Sequence, residues 1–154
     1  MSIERYPVVC AWCEGVTGYT SVPNSHGLCM ACYERLVGVP RLSPEQLDAL
    51  PFGVIQLDEA GVVVGYNRAE SALSGRDPAE VLGRNFFTEV APCTSVKAFQ
   101  SRFRSVLSAE RPLEAFSFSF HFPKRVTEVE IAFVRAPSGV VFVNVRKSTT
   151  GGAA

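Results

Sequence analysis

The last third of the chain carries three segments whose apolar residues follow the two-residue period of a β-strand. Phenylalanine occupies every second position of residues 116–122, with serine or histidine between. Residues 128–133 alternate glutamates with Val129, Ile131 and a further phenylalanine. Residues 140–145 are more uniformly apolar, which is typical of a strand at the centre of a sheet. The pattern predicts three consecutive strands, the last of them central.

Two shorter apolar segments upstream predict a β-hairpin, with strands at residues 52–58 and 62–66. The residues between them, Glu-Ala-Gly, have the composition of a turn. Short helices are predicted after Ser43 and after Asp77, because each is a good N-cap followed directly by proline. After Cys93 the longest helix is predicted from apolar residues at helical spacing: Val96, Phe99, Phe103, Val106 and Leu107.

In chain order the predicted elements are two strands, short helices, one long helix and three strands. This order indicates an α+β fold, a five-stranded antiparallel sheet flanked by helices that lie on one face. Residues 41–147 form this domain, residues 1–40 form a separate small unit, and residues 148–154 form a flexible tail.

Charge and hydropathy limit the partners of the chain. Fifteen acidic residues balance fifteen basic residues, so no overall attraction to nucleic acid or to an anionic membrane is expected. No apolar run is long enough to span a bilayer, and the first residues lack the apolar core of a signal peptide. We therefore expect a cytoplasmic protein that contacts no membrane. A homodimer remains open.

Two CxxC pairs, Cys10 with Cys13 and Cys29 with Cys32, dominate residues 1–40. Four thiolates at this spacing predict a closed tetrahedral zinc site, because about forty residues with few large apolar groups need a metal to fold. An iron centre on the same sulfurs is an alternative. A redox CxxC would require a thioredoxin-like context, which the sequence lacks. Four cysteines already complete the site, so His26 is interpreted as a turn residue or as a hydrogen-bond donor to one of the zinc ligands.

The fifth cysteine, Cys93, lies apart from the others in the segment Asn85-Phe86-Phe87-Thr88-Glu89-Val90-Ala91-Pro92-Cys93-Thr94. A lone cysteine is most often a small buried apolar residue. Polar residues that could share a buried site with it lie upstream: Tyr66, Asn67, Glu70, Ser74 and Arg76. A thiol enzyme would need an activating base, and neither His26 nor His121 forms a catalytic motif with Cys93. The sequence therefore does not predict an enzyme.

Residues 45–147 resemble the photoactive yellow protein family, PAS-fold receptors for blue light. The resemblance is carried by Phe52-Gly53-Val54-Ile55-Gln56-Leu57-Asp58, Tyr66-Asn67-Arg68-Ala69-Glu70, Gly75-Arg76-Asp77-Pro78 and the segment around Cys93. The spacings between Tyr66, Glu70, Arg76 and Cys93 match the family without gaps. Residues 1–40 have no counterpart in it.

The resemblance implies that Cys93 carries 4-hydroxycinnamic acid (p-coumaric acid) as a thioester. It implies that Tyr66 and Glu70 hydrogen-bond the phenolate oxygen, that Ser74 supports Tyr66, and that Arg76 covers the pocket. The positions that line the pocket in the family match Ile55, Val90, Phe120 and Phe122. Glu70 must then be protonated, which burial favours.

The family mechanism implied for this chain is trans–cis isomerisation in blue light, proton transfer from Glu70, and a structural change that an unknown signalling protein detects. Lys124 stands where the family usually has methionine, which predicts slower dark recovery. The alternative is a pigment-free PAS module for protein interaction or ligand sensing, with a structural zinc finger.

Overall fold

The computed structural model describes residues 6–10, 12, 16–20, 26–27, 29–109, 112–122 and 125–147. The strands are β1 (Tyr6–Cys10), β2 (Val16–Thr20), β3 (His26–Gly27), β4 (Gly53–Leu57), β5 (Val63–Tyr66), β6 (Leu113–Phe122), β7 (Arg125–Arg135) and β8 (Val141–Lys147). The α-helices are α1 (Met30–Gly38), α2 (Pro44–Asp48), α3 (Arg68–Ser74), α4 (Pro78–Val81) and α5 (Lys97–Leu107). Short 3₁₀ turns cover Val39–Arg41 and Pro92–Thr94, and one π-helical turn covers Phe86–Val90.

The main sheet contains five strands in the order β5-β4-β8-β7-β6, and every neighbouring pair is antiparallel. This confirms the predicted sheet and places β8 at its centre, where its apolar composition had placed it. Both predicted helix starts are also observed. Ser43 and Gln46 form a reciprocal capping box at α2, and the Asp77 side chain accepts a hydrogen bond from the backbone N–H of Ala79 at α4.

Both faces of the sheet are covered, whereas the sequence predicted helices on one face. On one face α5 packs Phe99, Phe103 and Val106 against the strands. The opposite face belongs to a second buried cluster in which Leu36 of α1 and Leu47 of α2 contact sheet residues. The sheet residues on that face are Val54, Ala132, Val134 and Phe142. Consecutive strand residues point to opposite faces, so a strand with no polar face requires cover on both sides.

Two details differ from the prediction, one at the start of α5 and one in residues 1–40. Val96 is not part of the apolar stripe of α5; it precedes the helix and is 47% exposed. Residues 1–40 contain more regular structure than was predicted, since β2, β1 and β3 form a small sheet and α1 follows it. In that sheet β1 and β3 are parallel, with Cys10 opposite Gly27.

No helix among the described residues has both the length and the apolar character needed to cross a membrane.

Trp12, between the first pair of cysteines, anchors the N-terminal unit to the sheet. Its side chain is buried, and its ring meets that of Phe52 edge-on at a centroid distance of 5.3 Å. Arg146 of β8 lies over the Trp12 ring at 5.6 Å and also donates a hydrogen bond to the Trp12 carbonyl oxygen. The aromatic contact and the cation–π contact together tie this unit to residues of β8 and the start of β4.

Trp12→Ala is expected to lower the free energy of unfolding by about 3–5 kcal/mol, because it deletes a large buried aromatic side chain and leaves a cavity. Urea denaturation of the full chain measures the change. Tyr33→Ala is the matched control, since Tyr33 is an aromatic residue of α1 that is 38% exposed, and its loss should cost far less. Equal stability of the Trp12→Ala and Tyr33→Ala chains would contradict the anchoring role.

Candidate functional site

Asn67 fixes the start of α3 against the edge of the sheet. Its amide Nδ2 donates to the carbonyl oxygens of Leu47 at 2.8 Å and Phe52 at 3.1 Å. Its Oδ1 accepts from the backbone N–H groups of Val54 at 2.8 Å and Glu70 at 3.0 Å. Asn67 is buried, so these four hydrogen bonds offset the free-energy cost of removing its side-chain amide from water. As the N-cap of α3, it determines where the helix presents Glu70 and Ser74.

The phenol of Tyr66 and the hydroxyl of Ser74 meet, although they lie at opposite ends of residues 66–74. Tyr66 is the last residue of β5 and Ser74 is the last residue of α3. Their side-chain oxygens, Oη and Oγ, are 2.6 Å apart and share a hydrogen bond. The backbone N–H of Arg76 donates to the same Ser74 oxygen at 3.2 Å. Ser74 therefore orients the Tyr66 hydroxyl.

Glu70 is a buried carboxyl group with an unsatisfied oxygen. The residue is 2% exposed, and its Oε2 has no hydrogen-bond partner among the described residues. Burial raises the pKa of Glu70 from its ordinary 4.5 to about 8. Burial and the neighbouring Glu70 also raise the pKa of Tyr66, against the smaller opposing effects of Ser74 and Arg76. At neutral pH both Tyr66 and Glu70 therefore hold protons that they can donate.

A further group of side chains near Tyr66 and Glu70 comes from the segment that links α4 to α5. The Asn85 side chain caps the π-helical turn by accepting from the N–H groups of Phe87 at 3.0 Å and Thr88 at 3.1 Å. Phe86 and Val90 of this turn are buried. The 3₁₀ turn that follows holds Cys93, and the Thr94 hydroxyl closes it by donating to the Ala91 carbonyl oxygen at 2.7 Å.

These side chains surround a small, partly open cavity. The described residues that line it are Tyr66, Glu70, Ser74, Arg76, Phe86, Val90, Ala91, Phe120 and His121. Two proton donors, one cation and a ring of apolar side chains therefore face a single cavity.

Cys93 lies beside this cavity. It is half-buried and packs against the main core. It lines an adjoining open surface groove together with Val96, Ser117, Phe118, Ser119, His121 and Glu128. His121 lines both spaces and is exposed, so it marks the boundary between the thiol and the cavity.

The chain is similar to known proteins of the PAS fold family, which matches residues 44–147. Photoactive yellow protein of Rhodothalassium salexigens is 42% identical over 94 residues, 61% of this chain and 75% of that protein. Photoactive yellow protein of Halochromatium salexigens is 40% identical over 95 residues, 62% of this chain and 76% of that protein.

A solved structure agrees with these sequence matches. The photoactive yellow protein domain of the sensor histidine kinase Ppr of Rhodospirillum centenum superposes with a TM-score of 0.66 at 42% identity. The match covers 71% of this chain and 97% of that domain. This chain belongs to the photoactive yellow protein family of PAS domains. Its PAS fold, which the sequence predicted, is confirmed.

Most of the residues predicted for the site lie together in this photoactive yellow protein fold. Tyr66, Glu70, Ser74, Arg76, Val90 and Phe120 all line the cavity. Ile55 of β4 is fully buried in the core and is not among the described residues of the cavity lining. Cys93 lies in the adjoining groove. The Phe122 side chain and Lys124 lie outside the described residues, and the roles given to all these residues remain predictions.

Sequence reasoning did not assign His121, Phe86 or Ala91 to the site. His121 was recognised only as part of an alternating strand, and its position at the cavity depends on how β6 meets the segment from Phe86 to Thr94. The role of Gly53 was also missed. Its Cα lies against Glu70, a contact across seventeen residues of chain that no local pattern reports.

The predicted zinc ligands are only partly within the described structure. Cys29 precedes α1, and Cys32 is buried on it. Cys13 and the Cys10 side chain lie outside the described residues. The part of the chain with described side chains contains no cluster of three or more metal-binding groups. The four-cysteine site therefore stays a prediction.

Proposed function

We propose that this chain is a blue-light receptor domain that holds p-coumaric acid as a thioester on Cys93. The observation that carries the proposal is the Oε2 of buried Glu70, which has no hydrogen-bond partner in the described part of the chain, beside the hydrogen-bonded pair of Tyr66 and Ser74. A protonated carboxyl and a phenol hydroxyl facing one apolar cavity are two donors that suit a buried phenolate. Family membership supports the same ligand.

Cys93 would supply the covalent attachment. A thioester requires a thiol, and Cys93 is a half-buried free thiol next to the cavity. His121 lines both the groove of Cys93 and the cavity of Glu70, so a ligand that extends between the two would contact this side chain. Phe120 and Val90 would exclude water from such a ligand.

When bound, p-coumaric acid supplies a double bond that isomerises on absorbing blue light. The protein supplies the proton, because Glu70 is a buried acid with a pKa of about 8. Loss of that proton would leave a buried carboxylate whose Oε2 has no hydrogen-bond partner among the described residues. A charge in that position is costly, so the fold must hydrate it or move it. We infer that this movement is what a signalling partner detects.

The test is an absorption spectrum of the full chain mixed with activated p-coumarate, taken in the dark and after a blue flash. A new visible band that bleaches and then recovers is the expected result. A folded chain with no band and an unmodified mass would contradict the proposal.

A pigment-free PAS module for interaction or ligand sensing is the second candidate. The observation that favours it is the position of Cys93 in the groove and not among the described residues of the cavity lining. A reversible ligand that binds the cavity of a chain whose Cys93 stays unmodified would establish this function instead. In both cases the expected output is a contact with another signalling protein.

We also propose that Cys10, Cys13, Cys29 and Cys32 hold structural Zn²⁺. The support is the CxxC spacing and the pairing of Cys10 with Gly27, which places the Cys10 backbone opposite a residue two positions before Cys29. Cys32 and Trp12 also share one buried cluster. These four thiolates would close the coordination shell, so the ion would stabilise the unit without catalysing a reaction.

Removal of zinc is therefore expected to release Trp12 from Phe52, because metal binding supplies folding free energy to small units. The measurement is the zinc content of the purified chain together with Trp12 fluorescence before and after chelation. Cys93→Ser should leave the zinc content unchanged, and Cys32→Ser should reduce it. A metal-free chain with unaltered Trp12 emission would contradict the zinc proposal.

A further inference from the structure

Gly53 is the residue against which the Glu70 carboxyl lies. A Cβ atom built on Gly53 would lie 2.0 Å from Glu70 Oε2, 3.0 Å from its Cβ and 3.1 Å from its Cα. The φ angle of Gly53 is outside the left-handed region, so the backbone conformation does not require glycine. Glycine is required here because Glu70 occupies the space that a Cβ atom would take.

Phe52 joins this contact to the N-terminal unit. It immediately precedes Gly53, it is 4% exposed, and its carbonyl oxygen accepts a hydrogen bond from Asn67, the residue that caps the helix of Glu70. Its ring meets Trp12 at 87° and 5.3 Å. A displacement of Glu70 against Gly53 therefore presses on the residue whose side chain holds Trp12.

We propose that Gly53 is a positioning residue for Glu70 and that the pair Phe52–Gly53 couples the position of the Glu70 carboxyl to Trp12. The role rests on the proposed function, in which Glu70 is the proton donor, but its tests use the pigment-free chain. Failure of the coupling and failure of light sensitivity are therefore separate results. Since coupling between two sites is reciprocal, changes at Trp12 must also act on Glu70.

The surroundings of Glu70 set the direction of the expected change. The other titratable or charged side chains around the cavity are Tyr66 from β5, Arg76 beyond α3 and His121 from β6. A methyl group at position 53 would push the carboxyl away from the strand toward this more open and more polar side. The buried surroundings hold the Glu70 pKa up, so displacement toward polar groups lowers it.

Gly53→Ala is therefore expected to lower the titration midpoint of Glu70 by about one pH unit or more. The infrared band of the protonated carboxyl follows that midpoint, and the Glu70→Gln spectrum identifies the band. Gly65→Ala is the matched control: it adds the same methyl group to β5, where the nearest atom is the movable amide Nε2 of Gln56 at 2.4 Å. Equal midpoints in the two variants would overturn the positioning role.

A second variant keeps the test decisive if Gly53→Ala does not fold. The double variant Gly53→Ala/Glu70→Ala removes the carboxyl that causes the shortest contact, and only shifts of a few tenths of an ångström at the Glu70 Cβ and Cα remain. The double variant should fold. Its failure to fold would show that the space at Gly53 serves the backbone of α3 and not the carboxyl, which overturns the proposal.

Trp12 is the only tryptophan of the chain, so its emission reports the far end of the coupling. We expect that emission to change with pH at the midpoint of the Glu70 carboxyl band. The change should disappear in Glu70→Gln and move with the midpoint in Gly53→Ala. A pH response of the Trp12 emission that comes from any other group would persist in Glu70→Gln. Emission that titrates identically in wild type and Glu70→Gln would overturn the coupling.

Discussion

A Cys93→Ala chain will form no covalent adduct with activated p-coumarate and will show no visible absorption band. Only a thiolate attacks an activated acyl group to give a thioester, and Cys93 is the thiol that lies beside the cavity of Tyr66 and Glu70. The wild-type chain should gain the mass of one coumaroyl group. Because the proposed attachment is covalent, the expected loss in the variant is complete and not graded.

The other cysteines provide the control for this experiment. Cys29 is also partly exposed, but it lies at the start of α1 in the N-terminal unit. A Cys29→Ala chain should keep both the adduct and the band. If Cys93→Ala still gained the mass and the band, the chromophore would be attached elsewhere and the assignment of Cys93 would be wrong. Adduct formation without a visible band would indicate that the phenol is not held as a phenolate.

A Glu70→Gln chain will lack the loss of stability that the pigment-free wild-type chain shows as pH rises. In the unfolded state Glu70 releases its proton near its ordinary pKa of 4.5, whereas in the folded state burial holds the proton until about pH 8. Below the lower value both states are protonated and Glu70 contributes no pH dependence. Between the two values the unfolded state binds fewer protons, so the stability of the fold falls as pH rises.

The size of this effect makes it easy to measure. One pH unit of pKa difference corresponds to about 1.4 kcal/mol, so the buried carboxyl should cost on the order of a few kcal/mol at the alkaline end. Urea unfolding near pH 5 and near pH 8 gives the difference for each chain. Glu80→Gln is the control, because Glu80 is exposed on α4 and its removal should leave the wild-type pH dependence intact. A Glu70→Gln chain with the wild-type pH slope would show that Glu70 is ionised in the fold.

Local patterns predicted the strands, their antiparallel sheet and the central position of β8, because such patterns report on neighbouring residues. The alternating phenylalanines of β6 and the apolar residues of β8 carry the strand period in the sequence itself. The caps at Ser43 and Asp77 depend on residues two or three positions away. The π-helical turn at Phe86–Val90 was not predicted, since its backbone hydrogen bonds, from Val90 to the Asn85 carbonyl oxygen and from Ala91 to that of Phe86, follow no periodic residue pattern.

The family motif predicted the residues of the cavity, but not how each one is held. Tyr66, Glu70, Ser74 and Arg76 were recognised by their spacing, and they line one cavity. The resemblance placed Cys93 with them, whereas the structure places it in the adjoining groove with His121 as the boundary. Whether a thiol lines a cavity depends on the packing of a 3₁₀ turn against β6, and no spacing between residues encodes that packing.

The sequence alone determined the α+β fold, the five antiparallel strands and the set of polar residues for the site, because periodicity, caps and a gap-free motif are all local. The tertiary structure decided three other matters: that Gly53 faces Glu70, that Trp12 meets Phe52, and that both faces of the sheet are covered. Each is a contact between elements separated in the chain. Such contacts follow from how whole surfaces fit together, since a buried carboxyl or a buried ring takes the space that its distant neighbours leave.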